Sequence, residues 1–187
     1  MPFRAEASAS RGSTDETAHA MIFGFGKPRT PTIRPLRSEA AEFCARLHAK
    51  SFAHPWSSQE FATLLANRAV FASGAVDPVD GTLRGFILSR KAADEAEILS
   101  IAVDAALRRR GVAASLLEEL LPSVAAAGAK TMFLEVDKDN VAALALYRRF
   151  SFTQVGERKG YVRRADGSTA TALILRVELR GPAARRP

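Results

Sequence analysis

The sequence predicts an α/β protein of the α+β kind, with helices packed on one mixed sheet. Two observations predict it. Runs with apolar residues at every second position come first as neighbours joined by a turn, as hairpins do. Further along they alternate with stretches whose apolar residues recur every three or four positions. Hairpins followed by strand–helix–strand units imply a mixed sheet flanked by helices. The chain has 187 residues, against a usual domain of about 150, so one domain with spare chain is expected. The patterned part is 31–179. Residues 1–30, rich in Ala, Ser, Thr, Gly and Pro, read as a flexible tail, and 180–187 as a short basic one.

The elements follow in order. TIRPL (32–36) is a short strand. Ser38 can cap a helix whose Ala41, Phe43, Cys44, Leu47 and His48 share helical spacing. Pro55 breaks the chain. Ser57 or Ser58 can then cap a second helix, with Glu60 near the capping-box position and Phe61, Leu64 and Leu65 along one face. Residues 69–76 and 83–90 are strands about the turn DPVDG (77–81), and EAEILSIAV (95–103) is a third. Residues 108–128 predict a loop and a helix, with Leu116, Leu117, Leu120, Leu121 and Val124 inward and Gly128 as the stop. Pro122 inside it should kink the helix or cost up to ~3 kcal/mol. TMFLEV (131–136) is a strand, Asp139 and Asn140 open a helix through Phe150, and 151–158 and 169–179 finish as strands.

Composition excludes several classes. Hydrophobic residues are 47% and charged residues 25%, as in ordinary globular proteins, so collagen, coiled coil and wholly disordered chains are ruled out. No uncharged stretch approaches the roughly 20 apolar residues of a membrane span, and MPFRAEASASRGSTDE lacks the apolar run of a secretory leader. The single Cys44 can form neither an internal disulfide nor a cysteine-rich zinc site, which points to a reducing, cytoplasmic setting. His48 and His54 show no metal-ligand spacing, so no metal is expected. Of the net charge of +7, only +3 lies in 31–179, and a further +3 comes from Arg180, Arg185 and Arg186, so a nucleic-acid partner is not expected.

Two segments carry chemistry. In SIAVDAALRRRGVAASLLEEL (100–120) a strand ends, Arg108, Arg109 and Arg110 follow, and Gly111 opens a helix. The first N–H groups of a helix lack internal partners and sit at its positive end, so this is an anion seat; read alone, it is equally a solvated cation run. In FLEVDKDNVAALALYRRFSF (133–152), Glu135 lies on a strand whose Leu134 and Val136 point to the other face, and Tyr147 stands two turns into the following helix. Alone, these read as a surface charge, a helix cap at Asn140 and a core aromatic.

Together they resemble the GNAT superfamily of acyl-CoA-dependent N-acetyltransferases. RRRGVA (108–113) fits its R/Q-x-x-G-x-G/A pyrophosphate loop. HPWS (54–57), the segment 97–120 and LEVDKDNVAALALYRRFSF (134–152) are similar, in the same order, to the bacterial ribosomal-protein-alanine N-acetyltransferase family. The resemblance covers roughly residues 32–179.

That resemblance implies a GNAT fold: a mostly antiparallel sheet of about six or seven strands and about four helices, splayed between two central parallel strands. Those strands would be 96–103 and 131–136, and the gap would admit the pantetheine arm of acetyl-CoA, the co-substrate. Backbone groups of Ile101, Ala102 and Val103 would pair with the arm like an added strand. The pyrophosphate would sit on the amides of Arg109, Arg110, Gly111, Val112, Ala113 and Ala114, with Arg108 beside them, and Asn140 matches a cofactor-contacting asparagine. Glu135 matches the general base and Tyr147 the general acid, which also meets the cofactor sulfur. The chemistry is coherent, because an α-amine of pKa near ~7.7–8.0 must lose a proton before it attacks. A backbone N–H near Val103 would face the oxyanion, and the leaving thiolate would take the phenol's proton.

For the acceptor, the resemblance implies a protein N-terminus, the alanine of a small-subunit ribosomal protein, with Trp56 and Tyr161 lining its path, no nucleic acid or membrane partner, and a monomer or weak dimer. Trp56 is equally an anchor before the second helix. The family commonly carries an arginine, paired tyrosines and a proline, then a turn and an acidic residue. Here RKGYVRRADGSTATALIL (158–175) keeps Tyr161 but has Val162 and Arg163 at the second tyrosine and the proline, and Thr169 and Ala170 after the turn. Arg163 and Arg164 would favour an acidic peptide. A lysine side chain, a polyamine or a drug-like amine is the alternative acceptor, and a basic ribosome- or RNA-binding module the alternative outside enzymes.

Overall fold

A computed structural model describes residues 30–163 and 168–180. Residues 1–29 and 181–187, which make up nearly all of the two expected tails, lie outside the described residues, as does Arg164 in the last hairpin. In chain order the elements are β1 (Thr32–Pro35), α1 (Ala41–Ala49), α2 (Ser58–Ala66), β2 (Val70–Val76), β3 (Leu83–Ala92), β4 (Glu95–Val103), α3 (Val112–Ala126), β5 (Thr131–Asp137), α4 (Val141–Arg149), β6 (Thr153–Arg163) and β7 (Thr169–Glu178). Among the described residues the seven strands form one sheet in the order β1-β2-β3-β4-β5-β7-β6. Only β4 and β5 run parallel; every other neighbouring pair is antiparallel.

Alternation along each strand divides the apolar residues between two cores. Ile87, Ile98, Met132, Leu134 and Leu175 turn to the face covered by α3 and α4, where they meet Leu116, Leu117, Leu120 and Tyr147. Phe86, Leu88 and Ala102 turn to the other face, under Cys44, Leu47 and Phe61 of α1 and α2. Each such fully buried side chain contributes roughly 1.5–3 kcal/mol. Ser57 caps α2 as expected: its hydroxyl accepts from the Glu60 amide at 3.2 Å, and the Glu60 carboxylate accepts from the Ser57 amide at 2.7 Å. Despite Pro122, α3 continues to Ala126.

Three expectations are corrected. Ser38 does not cap α1, because it lies inside a short 3-10 turn, Ser38–Ala40, that runs directly into the helix. Phe43 is 46% exposed, with the Arg46 guanidinium 4.6 Å from its ring centre; α1 turns a narrow stripe of Ala41, Cys44, Leu47 and His48 inward, and position 43 falls beside it. The strand expected to stop at Arg158 continues to Arg163, because β6 absorbs an irregularity at Lys159–Tyr161, with Gly160 at φ +65°, and then resumes pairing.

One further irregularity shapes the centre of the sheet. Leu88 pairs with Ser100 but Ser89 pairs with Ile98, so Leu99 is an extra residue in β4. Alternation therefore slips by one. Ile98 and Ile101 both turn toward α3, while Ser100 and Ala102 share the face of Leu88 and Phe86.

Candidate active site

The parallel ladder between β4 and β5 runs from Glu95↔Thr131 to Ile98↔Leu134 and stops there. β4 continues to Val103 and β5 to Asp137, each still paired on its outer side only. The two central strands thus part beyond their last rung, directly after the Leu99 bulge. The amide of Asp104 donates to the Arg84 carbonyl of β3 at 2.7 Å. Strand alternation then points the peptide groups of Ile101 and Val103 into the gap and those of Ala102 toward β3. Of the three residues expected to line the gap with backbone groups, two have that orientation.

At the far end of β4 the chain turns through a 3-10 turn, Ala105–Leu107, and enters α3 at Gly111, with φ +84°. A side chain here would have space around it but a strained backbone, so glycine suits the turn. No side chain caps α3, no acidic residue lies in its first turn, and Ser115 is the first residue whose amide bonds back, to the Gly111 carbonyl at 3.0 Å. The amides of Gly111, Val112, Ala113 and Ala114 thus open the helix without intrahelical partners, at its positive end, and Arg109 and Arg110 lie in the turn before it. Arg109 holds a left-handed φ of +61°, unusual for a residue with a side chain. Arg108 does something the sequence does not announce: its Nε donates to the Val103 carbonyl at 3.2 Å and so ties the loop to the rim of the gap. Asn140 caps α4, its Oδ1 accepting from the Ala143 amide at 3.1 Å.

Glu135 is the first residue of β5 past the last rung, and its side chain points away from the Leu134–Val136 face. Its Oε1 meets Nη1 of Arg158 at 3.1 Å. The Arg158 guanidinium also lies 5.1 Å from the ring centre of Tyr161, which is 55% exposed. Glu135, Arg158 and Tyr161 therefore form one cluster, beside a groove of about 320 Å³ lined also by Glu97, Phe133 and Ile174. Tyr147 stands on the other side of the sheet, in the α3–α4 core, edge-on to Phe152 at 5.6 Å. Burial pushes its phenol up to about 12, so it is fully protonated at neutral pH. Trp56 is not part of the Glu135 cluster; it stacks on His48 at 5.0 Å and tilts against Phe61 at 5.5 Å, between α1 and α2. Cys44 is fully buried and its thiol is pushed up to about 12 by burial, which suits a core residue and not a nucleophile.

Sequence reasoning missed the pairing of Arg158 with Glu135, because the resemblance marks an arginine at the head of the last hairpin without a role and its partner lies two strands away, and it missed the bulge at Leu99, which a continuous apolar run conceals. Among the described residues no group of His, Cys, Asp and Glu could hold a metal, and no helix is long and apolar enough to cross a membrane.

The parted sheet and the bare helix start suit an acyltransferase. The chain belongs to the acetyltransferase (GNAT) family, whose profile matches residues 41–152, and it is an acetyltransferase. It is similar to the N-alpha-acetyltransferase RimI of Mycobacterium tuberculosis, at 40% identity over 138 residues, 71% of this chain and 84% of that one. It is similar to the [ribosomal protein bS18]-alanine N-acetyltransferase of Escherichia coli, at 32% identity over 131 residues, 69% of this chain and 86% of that one. The crystal structure of the Escherichia coli ribosomal-protein-S18-alanine N-acetyltransferase superposes with a TM-score of 0.73 at 27% identity, covering 83% of this chain and 98% of the other. Arabidopsis thaliana NAA60, in a crystal structure with acetyl-CoA, shares the fold with a TM-score of 0.70 at 21% identity, covering 81% and 100%.

Proposed function

We propose that this acetyltransferase carries the acetyl group of acetyl-CoA to the N-terminal α-amine of a protein, with the N-terminal alanine of a small-subunit ribosomal protein as acceptor, in the cytoplasm. The observation that carries the mechanism is the position of Glu135, first past the last β4–β5 rung and on the face opposite Tyr147. The names of the two relatives support the acceptor.

The residues present fit the co-substrate. The helix-opening amides of 111–114, without an acidic neighbour in the first turn of α3, suit a pyrophosphate, and the gap-facing peptide groups of Ile101 and Val103 suit an amide-bearing arm. Acetyl-CoA, when bound, supplies the thioester. Glu135 takes the proton of the attacking amine at the carboxylate oxygen that Arg158 leaves free. The Val103 N–H, which faces the gap, would donate to the oxygen of the thioester carbonyl. Tyr147 holds its proton until the sulfur departs and then releases it there.

The test uses acetyl-CoA and two ribosomal peptides that begin with Ala and contain Lys, identical except that one has a blocked N-terminus. Turnover is expected on the free peptide alone. Glu135→Gln and Tyr147→Phe should each lower kcat about 100-fold or more. Equal turnover on the blocked peptide would instead assign a side-chain amine as acceptor, and parental kcat in either variant would remove that residue from its role.

A further inference from the structure

We propose that Arg158 is the positioning residue for Glu135, holding one carboxylate oxygen so that the other faces the amine; this rests on the reading of Glu135 as base. Arg158 must reach far to do this. It lies on β6, opposite Ala172, whereas Glu135 lies on β5, opposite Ile174, and the whole of β7 separates them. The side chain nonetheless crosses β7 and places Nη1 3.1 Å from Oε1. Gly156, the residue of β6 opposite Ile174, has no side chain to occupy the lane.

A half-exposed ion pair is by itself worth little, because a long side chain loses much rotamer freedom in making it. Here a second contact holds the guanidinium. Arg158 pairs with Ala172 and Val162 with Ala170, so Lys159, Gly160 and Tyr161 stand against Thr171 alone. That excess of chain, turning at Gly160 with φ +65°, carries the Tyr161 ring back to the guanidinium at 5.1 Å. Arginine suits this double contact, since its planar group offers a flat face to the ring while an edge N–H reaches the carboxylate. The strand irregularity, the aromatic ring and the reach across β7 thus converge on one oxygen of one carboxylate.

The experiment measures kcat and both KM values for Arg158→Met and Arg158→Lys, alone and on a Glu135→Gln background, with and without added guanidinium chloride. Arg158→Met is expected to lower kcat about 10- to 100-fold with KM for acetyl-CoA unchanged, because a displaced catalytic group costs that much. Guanidinium should restore part of the loss, Arg158→Lys should lie between, and Arg158→Met should add nothing once Glu135 is Gln. A kcat within twofold of the parent in Arg158→Met, or an equal loss on both backgrounds, overturns the inference while leaving Glu135 in place if Glu135→Gln itself is slow. A fast Glu135→Gln enzyme overturns the base reading and the inference together.

Discussion

The backbone amide of Trp56 donates to Nδ1 of His48 at 3.1 Å. An imidazole nitrogen that accepts a hydrogen bond carries no proton, so this contact holds His48 in its neutral form between the rings of Phe52 and Trp56. The pair ties the segment before α2 to the end of α1, and thereby sets where Trp56 sits beside the sheet.

A pH dependence follows. Burial lowers His48 to about 4 from its ordinary value near 6.5, with Glu60 opposing in part. The unfolded chain therefore binds a proton in this window that the folded chain refuses. Stability is fully present above about 6.5 and falls as pH drops toward 4, by about 2–3 kcal/mol from this group. Urea unfolding at pH 7, 5.5 and 4.5 should show the decline, and His48→Gln should flatten it. The same slope in both proteins would show that other groups cause it.

Gly111 adopts φ +84° with open space around its missing side chain, so an added methyl meets no neighbour and only the backbone is strained. Gly111→Ala should cost about 1–2 kcal/mol of stability and, by disturbing the amides that open α3, raise KM for acetyl-CoA several-fold while KM for the peptide stays put. Thermal unfolding and the two KM values measure this. An unchanged KM for acetyl-CoA would mean that these amides do not seat it.

Leu99 is the extra residue between Ile98 and Ser100, which pair with the adjacent Ser89 and Leu88. Deleting it makes those two pairs consecutive, so Ile98, Ile101 and Val103 keep one face and Ser100 and Ala102 the other. What is lost is the bulge's local twist, just before β4 and β5 part, and the Leu99 side chain on the α1–α2 core. The deletion should therefore keep cooperative unfolding but raise KM for acetyl-CoA, whereas Leu99→Ala, which keeps the bulge, should lose about 1–3 kcal/mol and leave that KM unchanged. Circular dichroism melts and the KM values of the two variants decide it. An unchanged KM for acetyl-CoA in the deletion would show that the bulge is dispensable to the gap.

Much of the fold was legible before the structure. Alternation located β4 and β5 almost to the residue, because strands buried on both faces leave apolar runs bounded by turn residues. Ser57 and Glu60 announced the start of α2, since a cap is a contact between residues three apart. Of the misjudged positions, Ser38 lies in the 3-10 turn that precedes α1 and Phe43 in α1 itself, a short helix whose start and inward stripe depend on how it is set against the sheet. The role of Arg158 was illegible for a related reason: the resemblance marks an arginine there, but its meaning depends on Glu135, in another strand.

The sequence by itself determined most strand bounds, the start of α2, and that Gly111 with its three arginines opens a helix, because these are properties of neighbours along the chain. Only the tertiary structure decided that β4 and β5 part after Ile98 and Leu134, that Glu135 and Tyr147 lie on opposite faces of the sheet, and that Arg158 reaches the carboxylate over β7. Those relationships depend on register between distant strands, and register is settled by packing the whole sheet at once.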